Sequence, residues 1–305
     1  MKAMTEKLLR MVSGLFDMDK VAYNIREDGT CAGRRSSEHI QILPKGDLPG
    51  LTIHIDSAAQ GEVVYIPACV THSGVDDLVY NDFFVDEGAD VTIVAGCGVH
   101  SEGEQEARHN GIHRFYLGKN ARVRYEEKHV GTGEGAGGRV INPVTEAELA
   151  EGATLEMDTT QIRGVDQTTR TTKAAVAAGA KLLIRERLMT DGREQAVSSY
   201  DVVMDGQDAK CDIVSRSVAK GRSYQEFAAQ ITGKSPCHGH AACDAIIMDQ
   251  AVVKAVPALT AQHVDAALVH EAAIGKIAGE QILKLCTLGL TEEQAEARIV
   301  EGFLK

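Results

Sequence analysis

Thiol and imidazole groups that could bind a metal crowd into the segment PCHGHAACD, residues 236–244. Cys237, His238, His240 and Cys243 lie within seven positions, and Asp244 follows directly. Thiolate and imidazole are ligands that suit zinc or iron. Their spacing matches no standard zinc finger, and a cysteine is also a small residue that packs well in a core. The segment is therefore a candidate metal site, with buried structural cysteines as the alternative.

A second candidate lies nearly thirty residues downstream, where His270 and Glu271 stand at the junction between the last expected strand and the terminal helices. Imidazole and carboxylate are both metal ligands, so the pair could belong to a metal site. A glutamate at a helix start is also favoured by the helix dipole, which gives the pair a structural interpretation too.

A third group is His54, Asp56, Glu62 and His72, whose spacings are loosely similar to those of a cupin metal site. This pattern makes a cupin-like metal-dependent enzyme one alternative for the chain. Surface residues on two β-strands would give the same spacing, and a cupin barrel does not explain the long repeat described below.

The residues Thr-Gly-Lys-Ser at positions 232–235 imitate the end of a phosphate-binding loop. That loop requires a glycine where this chain has Ala228 and a helix where it has Pro236. We therefore interpret the segment as a turn. The chain is expected not to be an enzyme by itself, and any ATP hydrolysis is expected in a partner subunit.

A repeated strand pattern must position these groups. A turn containing Gly, Asn or Asp is followed by an alanine and then by alternating apolar residues, and the anchoring alanines are Ala89, Ala121, Ala153, Ala180 and Ala209. Alternation with period two indicates strands, and a spacing of about 30 residues between equivalent strands indicates a solenoid. A β-sandwich would also alternate, but the fixed phrase favours a mainly β protein folded as a parallel β-helix.

Helical periodicity is confined to the two ends. An amphipathic helix is expected between Thr5 and Phe16, with an apolar face of Leu8, Leu9, Val12 and Leu15. Near the C-terminus a helical hairpin is expected, interrupted at Gly289 and restarted by a capping box of Thr291 and Gln294. The predicted organisation is a helical segment at 1–30, a β-helix core at 31–272 and a C-terminal helical region at 273–305.

Composition excludes several classes of protein. Thirty-two basic against 44 acidic residues give a net charge of −12, which repels nucleic-acid phosphates and anionic lipids, so neither nucleic acid nor a membrane is an expected partner. Apolar runs fall short of the roughly 20 residues that span a bilayer. Seven scattered cysteines argue against a disulfide framework, so we expect a cytoplasmic protein with reduced thiols.

Together, the repeat and the segments around Cys243 and His270 resemble the SufB/SufD family of iron–sulfur cluster assembly scaffolds. The motifs that carry the resemblance, in the family's order, are Cys243-Asp244, His270-Glu271-Ala272, Gln281-Ile282, Leu288-Gly289-Leu290, Glu292-Glu293-Gln294-Ala295 and Gly302-Phe303. A weaker similarity reaches back to about His72 and includes Gly96-Cys97 and a histidine-bearing strand around His109 to His113.

The resemblance implies a right-handed parallel β-helix, in agreement with the repeat. It also implies a scaffold that builds a transient iron–sulfur cluster, pairs with itself or with a SufB/SufD paralogue and docks a SufC-like ABC ATPase on its C-terminal helices. A sulfur donor and apo-protein acceptors complete the implied partners. By motif, Cys243 matches the scaffold cysteine, His270 and Glu271 match the groups beside it, and Cys97 matches the upstream cysteine linked with sulfur transfer.

The expected functional residues form two sets. Candidates for binding the cluster or its metal are Cys243, Glu271, His270, Asp244, Cys97, His240 and Cys237. Candidates for binding the ATPase are Ile282, Leu285, Ile299 and Phe303.

The combination of Cys243 with Glu271 favours a SufB-like role, because SufD-type members typically lack the acidic residue. The chain is much shorter than the usual SufB, so it resembles a compact form of the family, and we expect a homodimer with Cys243 near the interface. The alternatives are the cupin-like enzyme and a carbohydrate-active β-helix enzyme. The latter would require paired carboxylates on an exposed sheet face.

Overall fold

A computed structural model describes residues 3–14 and 17–305, and strands make up 59% of the chain. The helices in these ranges are α1 (Ala3–Val12), α2 (Gly279–Thr287) and α3 (Glu292–Phe303). The first strands are β1 (Ala22–Glu27), β2 (Thr30–Arg35), β3 (Ile40–Pro44), β4 (Gly50–Ile55), β5 (Gln60–Val70), β6 (Asp76–Val85), β7 (Asp90–His100), β8 (Ala107–Leu117), β9 (Arg122–Thr132) and β10 (Arg139–Ile141). The later strands are β11 (Val144–Leu149), β12 (Thr154–Arg163), β13 (Gln167–Val176), β14 (Lys181–Thr190), β15 (Gln195–Met204), β16 (Ala209–Ala219), β17 (Tyr224–Gly233), β18 (Cys237–Ile247), β19 (Val252–Ala261) and β20 (Ala266–Gly275).

The strands wind into a β-solenoid of about eight turns, which confirms the predicted architecture. One sheet, called sheet A here, has the order β2-β1-β5-β7-β9-β12-β14-β16-β18-β20. The facing sheet B has the order β19-β17-β15-β13-β10-β8-β6-β4-β3, with β11 between β13 and β8. Neighbouring strands are parallel except for the hairpins β1–β2 and β3–β4 at the N-terminal end. Parallel turns of this kind exclude the antiparallel cupin barrel.

The anchoring alanines mark the corner at which the chain enters sheet A. All five are fully buried, and the residue before each has a positive φ: Gly88, Asn120, Gly152, Gly179 and Asp208. Glycine, asparagine and aspartate adopt this left-handed conformation most readily, so the turn residues of the repeat have a direct backbone cause. The alanine that follows is small enough for the tight corner.

Helix α1 lies on the outer face of sheet A. Leu8, Leu9 and Val12 are buried there as predicted, whereas Leu15 and Phe16 lie outside the described residues. A Cβ atom on Gly98 would come within 2.9 Å of Leu8 Cβ, so this glycine permits the helix to lie close to β7. The solenoid begins soon afterwards, with β1 already inside the segment 1–30 that was expected to be helical.

The C-terminal helices follow β20 and pack back onto the solenoid. The capping box of Thr291 and Gln294 is present as predicted. Ile299 and Phe303 join an apolar cluster with Val218 of β16, which fixes α3 against the side of the sheet. In the ranges that the structure describes, no helix is both long enough and apolar enough to cross a membrane.

The last turn of the solenoid ends in free strand edges. Strand β20 closes sheet A and β19 closes sheet B, and each pairs with a single neighbour. Apolar side chains are exposed on this turn, including Val252 at 53% and Val269 at 49%. Exposed edges with apolar side chains favour association with another strand.

Candidate functional site

Cys243 lies in the middle of β18 and faces the interior of the solenoid. Its side chain is only 1% exposed, and its register partners are Ser215 of β16 and Ala272 of β20. Burial, followed by the negative charges of Glu186 and Asp244, raises the pKa of the Cys243 thiol to about 12. The thiol is therefore protonated at neutral pH, and binding a metal would require release of that proton.

His270 is the neighbour of Cys243 on the same inner face. It pairs in register with Ala241, two residues before Cys243, so the two side chains are diagonal neighbours on adjacent strands. Both His270 ring nitrogens are buried, and neither has a hydrogen-bond partner among the described residues. Burial, together with the charge of His240, lowers the pKa of His270. A neutral imidazole with an unused lone pair is the form that binds metals.

The remaining candidates of these strands face outward. Glu271 is 71% exposed in its side chain, and the strand alternation places Asp244 and His240 on the same outer face. His240 Nδ1 lies 2.7 Å from Asp212 Oδ1, and its Nε2 lies 3.9 Å from Glu271 Oε2. The predicted set is therefore divided between the two faces of β18 and β20.

Two predicted cysteines lie away from Cys243. Cys237 is register partner of both Ala209 and Ala266, so it occupies the buried corner position that alanine fills in other turns. Six strand residues separate it from Cys243, a distance of about 20 Å. Cys97 also faces inward but lies on β7, five strand spacings away in sheet A, or about 24 Å. Burial raises its pKa well above the usual value.

A chain of buried polar side chains occupies the interior between β9 and β18, and we call it the interior polar chain. Its members are Tyr125, Glu127, Arg170, Glu186 and Ser215. The Tyr125 hydroxyl donates to Glu127 over 2.9 Å, and Arg170 Nη1 lies 2.7 Å from the second Glu127 oxygen. Ser215 donates to Glu186 over 2.6 Å and stands in register with Cys243.

The ionised state of the interior polar chain has an electrostatic cause. Burial alone would raise the pKa of Glu127, but the charges of Arg170 and His129 hold it well below its usual range. Arg170 Nε also lies 3.9 Å from Glu186, which accepts from three hydroxyls, those of Ser198, Tyr200 and Ser215.

The amino-acid sequence carries a signal for the interior polar chain besides the anchoring alanines. The sixth residue after each anchor is polar from the second anchor onward, giving Glu127, Thr159, Glu186 and Ser215. The same position in the turn of β18 is Cys243, counted from Cys237. A polar residue at an inward position of successive strands predicts a polar column inside the solenoid.

The cupin-like group does not form a site. His54 stacks on Phe84, Asp56 lies beside His39 and Glu62 accepts from Ser37. His72 lies 3.8 Å from Asp28. The cupin-like alternative is therefore excluded, because these residues lie on separate strands and turns with separate partners.

The segment at 232–235 is a corner, as predicted. Thr232 and Gly233 end β17, and the Ser235 hydroxyl donates to the Gly206 carbonyl over 2.6 Å before β18 begins. A strand, not a helix, follows, so this corner lacks the architecture of a phosphate-binding loop.

The apolar face predicted for the terminal helices is half-buried. Ile282, Leu285, Ile299 and Phe303 are all partly covered, the last two by the apolar cluster that includes Val218. The most exposed apolar side chains of this region are instead Leu283 at 66% and Leu288 at 75%. Between these helices and the sheet runs a groove of about 1040 Å³ lined by side chains such as Met189, Met248 and Val300.

The family model and the similar proteins that match this chain all point to the same family, and they cover most of its length. A family described as SUF system FeS cluster assembly, SufBD core domain, matches residues 80–303. An iron-sulfur cluster assembly SufBD family protein of Methanothermobacter thermautotrophicus is 28% identical over 85% of this chain. One of Archaeoglobus fulgidus is 28% identical over 88% of this chain and 71% of its own length. The chloroplastic SufBD family protein ABCI8 of Arabidopsis thaliana is 24% identical over 72% of this chain and 41% of its own.

The lengths of chain that are matched decide whether these similarities show the family. The chain spans 63% of the length of the Methanothermobacter relative. The family match, however, covers well over half of this chain and contains every strand from β7 onward and both terminal helices. The chain therefore belongs to the SufBD family of iron–sulfur cluster assembly proteins.

Proposed function

We propose that this chain is a scaffold subunit of a SUF-type complex, on which a nascent iron–sulfur cluster is built before transfer to apo-proteins. One observation carries the proposal. Cys243 and His270 are diagonal neighbours on the inner face of the last two strands of sheet A, and the His270 ring nitrogens have no partner among the described residues. A soft thiolate and a neutral imidazole suit iron. The Glu271 carboxylate lies on the opposite face of β20 and does not converge with them.

Mixed ligation suits a cluster that must leave. Four thiolates hold an iron–sulfur cluster firmly, whereas one thiolate with imidazole holds it more weakly. The proton lost from Cys243 on loading returns on release. This exchange makes occupancy of the site dependent on pH.

A second subunit is proposed to complete the site. Within the described ranges, no group of three or more His, Cys, Asp or Glu side chains is arranged to hold a metal. Two-fold pairing through the free edges of β19 and β20 would cover exposed Val252 and bring a second Cys243 and His270 close by. The partner is a second copy or a SufB/SufD paralogue.

Energy and sulfur come from other proteins in this proposal. A SufC-like ABC ATPase docks on α2 and α3, where Leu283 and Leu288 are exposed, and performs the ATP hydrolysis. Sulfur from a donor reaches Cys97, and the interior polar chain lies between Cys97 and Cys243. The seven cysteines are free thiols, which fits a complex in the reducing cytoplasm.

Anaerobic reconstitution with iron and sulfide tests the scaffold role. The dimeric wild-type protein is expected to develop cluster absorption in the visible range. Cys243→Ser should abolish this absorption, and His270→Ala should reduce it. Cys237→Ser is the matched control, because Cys237 is equally buried on the same strand but lies at the corner. Full absorption in Cys243→Ser would contradict the proposal.

A further inference from the structure

His240 stands between two carboxylates on the outer face of sheet A, away from the inner pair of Cys243 and His270. Asp212 of β16 is its register partner and lies 2.7 Å from Nδ1, and Glu271 of β20 lies 3.9 Å from Nε2. Three neighbouring strands thus bring a carboxylate, an imidazole and a second carboxylate together, with Glu271 two residues beyond Val269, the register partner of His240 on β20.

Asp212 fixes which ring nitrogen is available. A carboxylate that accepts the Nδ1–H of a histidine leaves the lone pair of the neutral ring on Nε2, the arrangement by which proteins orient a metal-binding imidazole. The other Asp212 oxygen accepts from Arg185 over 2.6 Å. Asp212 is therefore fully engaged as an orienting group, and Nε2 is directed toward Glu271.

We propose that His240 Nε2 and the Glu271 carboxylate bind one divalent first-row metal ion on this outer face. Metal–nitrogen and metal–oxygen bonds of about 2.1 Å require the two donor atoms to approach to roughly 3 Å. The present 3.9 Å separation closes by rotation of Glu271, whose side chain is 71% exposed and whose only contact among the described polar groups is His240. The strand backbone need not move.

The number of protein ligands determines how tightly the site binds its metal ion. Asp212 is already engaged by His240 Nδ1 and Arg185, and within the described ranges no group of three His, Cys, Asp or Glu side chains is arranged to hold a metal, so water fills the remaining positions. Asp244 lies on the same face, two residues beyond the register partner of Glu271. Two protein ligands give weak, exchangeable binding, which suits a site that receives iron(II) rather than one that stores it. This use for iron rests on the proposed function, whereas the binding of a divalent ion does not.

Manganese(II) is the probe that separates this site from the inner one, because it prefers nitrogen and oxygen ligands to thiolate. Titration of the full-length protein, followed by the loss of the electron paramagnetic resonance signal of free manganese, should show one site per chain. His240→Ala and Glu271→Gln should each weaken binding at least tenfold. Asp212→Asn, which removes the orienting charge, should weaken it by about 10- to 100-fold.

Controls distinguish this inference from the proposed function. Cys243→Ser should leave manganese affinity unchanged even where it abolishes cluster formation, and Glu148→Gln removes an exposed carboxylate of sheet B as a matched control. Bound manganese should show hyperfine coupling to an imidazole nitrogen that disappears in His240→Ala. Unchanged affinity in both His240→Ala and Glu271→Gln, or no nitrogen coupling in the wild type, would mean that the three groups form an ion-pair cluster and would overturn the inference.

Discussion

Arg170 supplies the positive charge on which the interior polar chain depends, so replacing it by methionine is an informative perturbation. The guanidinium is 5% exposed and lies 2.7 Å from a Glu127 carboxylate that is 3% exposed. Arg170→Met leaves Glu127 as an uncompensated buried charge, with Glu186 losing its nearest cation as well. Breaking a buried ion pair in this way costs about 3–5 kcal/mol.

We expect the lower part of this range, about 3 kcal/mol at pH 7, because the Tyr125 hydroxyl still donates to Glu127 and His129 lies 3.3 Å away. The assay is denaturant unfolding followed by circular dichroism. A solenoid can unfold in stages, so the whole curve is compared and not only its midpoint. The double variant Glu127→Gln/Arg170→Met removes the charge of Glu127 and leaves only Glu186 without its cation, so it should lose less stability than Arg170→Met alone.

The loss of stability caused by Arg170→Met should depend on pH, and the direction of that dependence tests the electrostatic explanation. In the wild type the pKa of Glu127 lies below its ordinary value of 4.5, so its contribution to stability is complete above that pH and is lost as the pH falls further. Without Arg170, burial raises the pKa of Glu127, and protonation then favours the folded state. The cost of Arg170→Met should therefore be smaller at pH 5 than at pH 7. A cost below about 1 kcal/mol at pH 7, or one that grows as the pH falls, would refute the electrostatic account.

Three further predictions concern surfaces. Gly98→Ala should detach α1 from sheet A, because its Cβ would meet Leu8 at 2.9 Å, and faster amide hydrogen exchange in α1 would reveal this without a change in the strands. Val252→Glu should convert a dimer into monomers in light scattering, since it charges the free edge of β19; a dimer that persists would place the interface elsewhere. Leu283→Glu should abolish co-purification with a SufC-like ATPase and leave β-rich circular dichroism intact, whereas retained binding would exclude this part of α2 from the docking surface.

The repeat could be predicted because its corner has a local cause, a left-handed residue followed by a small one. Turns that lack this cause were missed. Ala59 is a fully buried anchor equivalent to the others, but Ala58 precedes it, and Cys237 follows Pro236. Neither preceding residue favours a positive φ. In these two turns we infer that packing against the neighbouring coils sets the backbone conformation of the corner. A pattern of adjacent residues in the sequence cannot reveal such packing.

The candidate site was predicted as a set of residues but not as an arrangement. The sequence placed His270 and Glu271 at the junction with the terminal helices, whereas both lie within β20, where strand alternation puts Cys243 and His270 inside and Glu271 outside. Their adjacency required the register between the strands, because His270 follows its anchor by four residues and Cys243 follows Cys237 by six. The pairing of His240 with Asp212 joins residues 28 positions apart, and only the stacking of turns reveals it.

The two ends of the solenoid differ in a way that limits how many copies can join. At the N-terminal end the antiparallel hairpins terminate both sheets: β2 bears Arg34 and Arg35 and has a register shift against β1, and β3 ends at Pro44. Charge, irregular register and proline all discourage edge pairing. A solenoid with two open ends could polymerise into a fibre by adding turn upon turn. With one end blocked, edge-to-edge growth would stop after a single pairing, so the dimer proposed above could not extend into an aggregate.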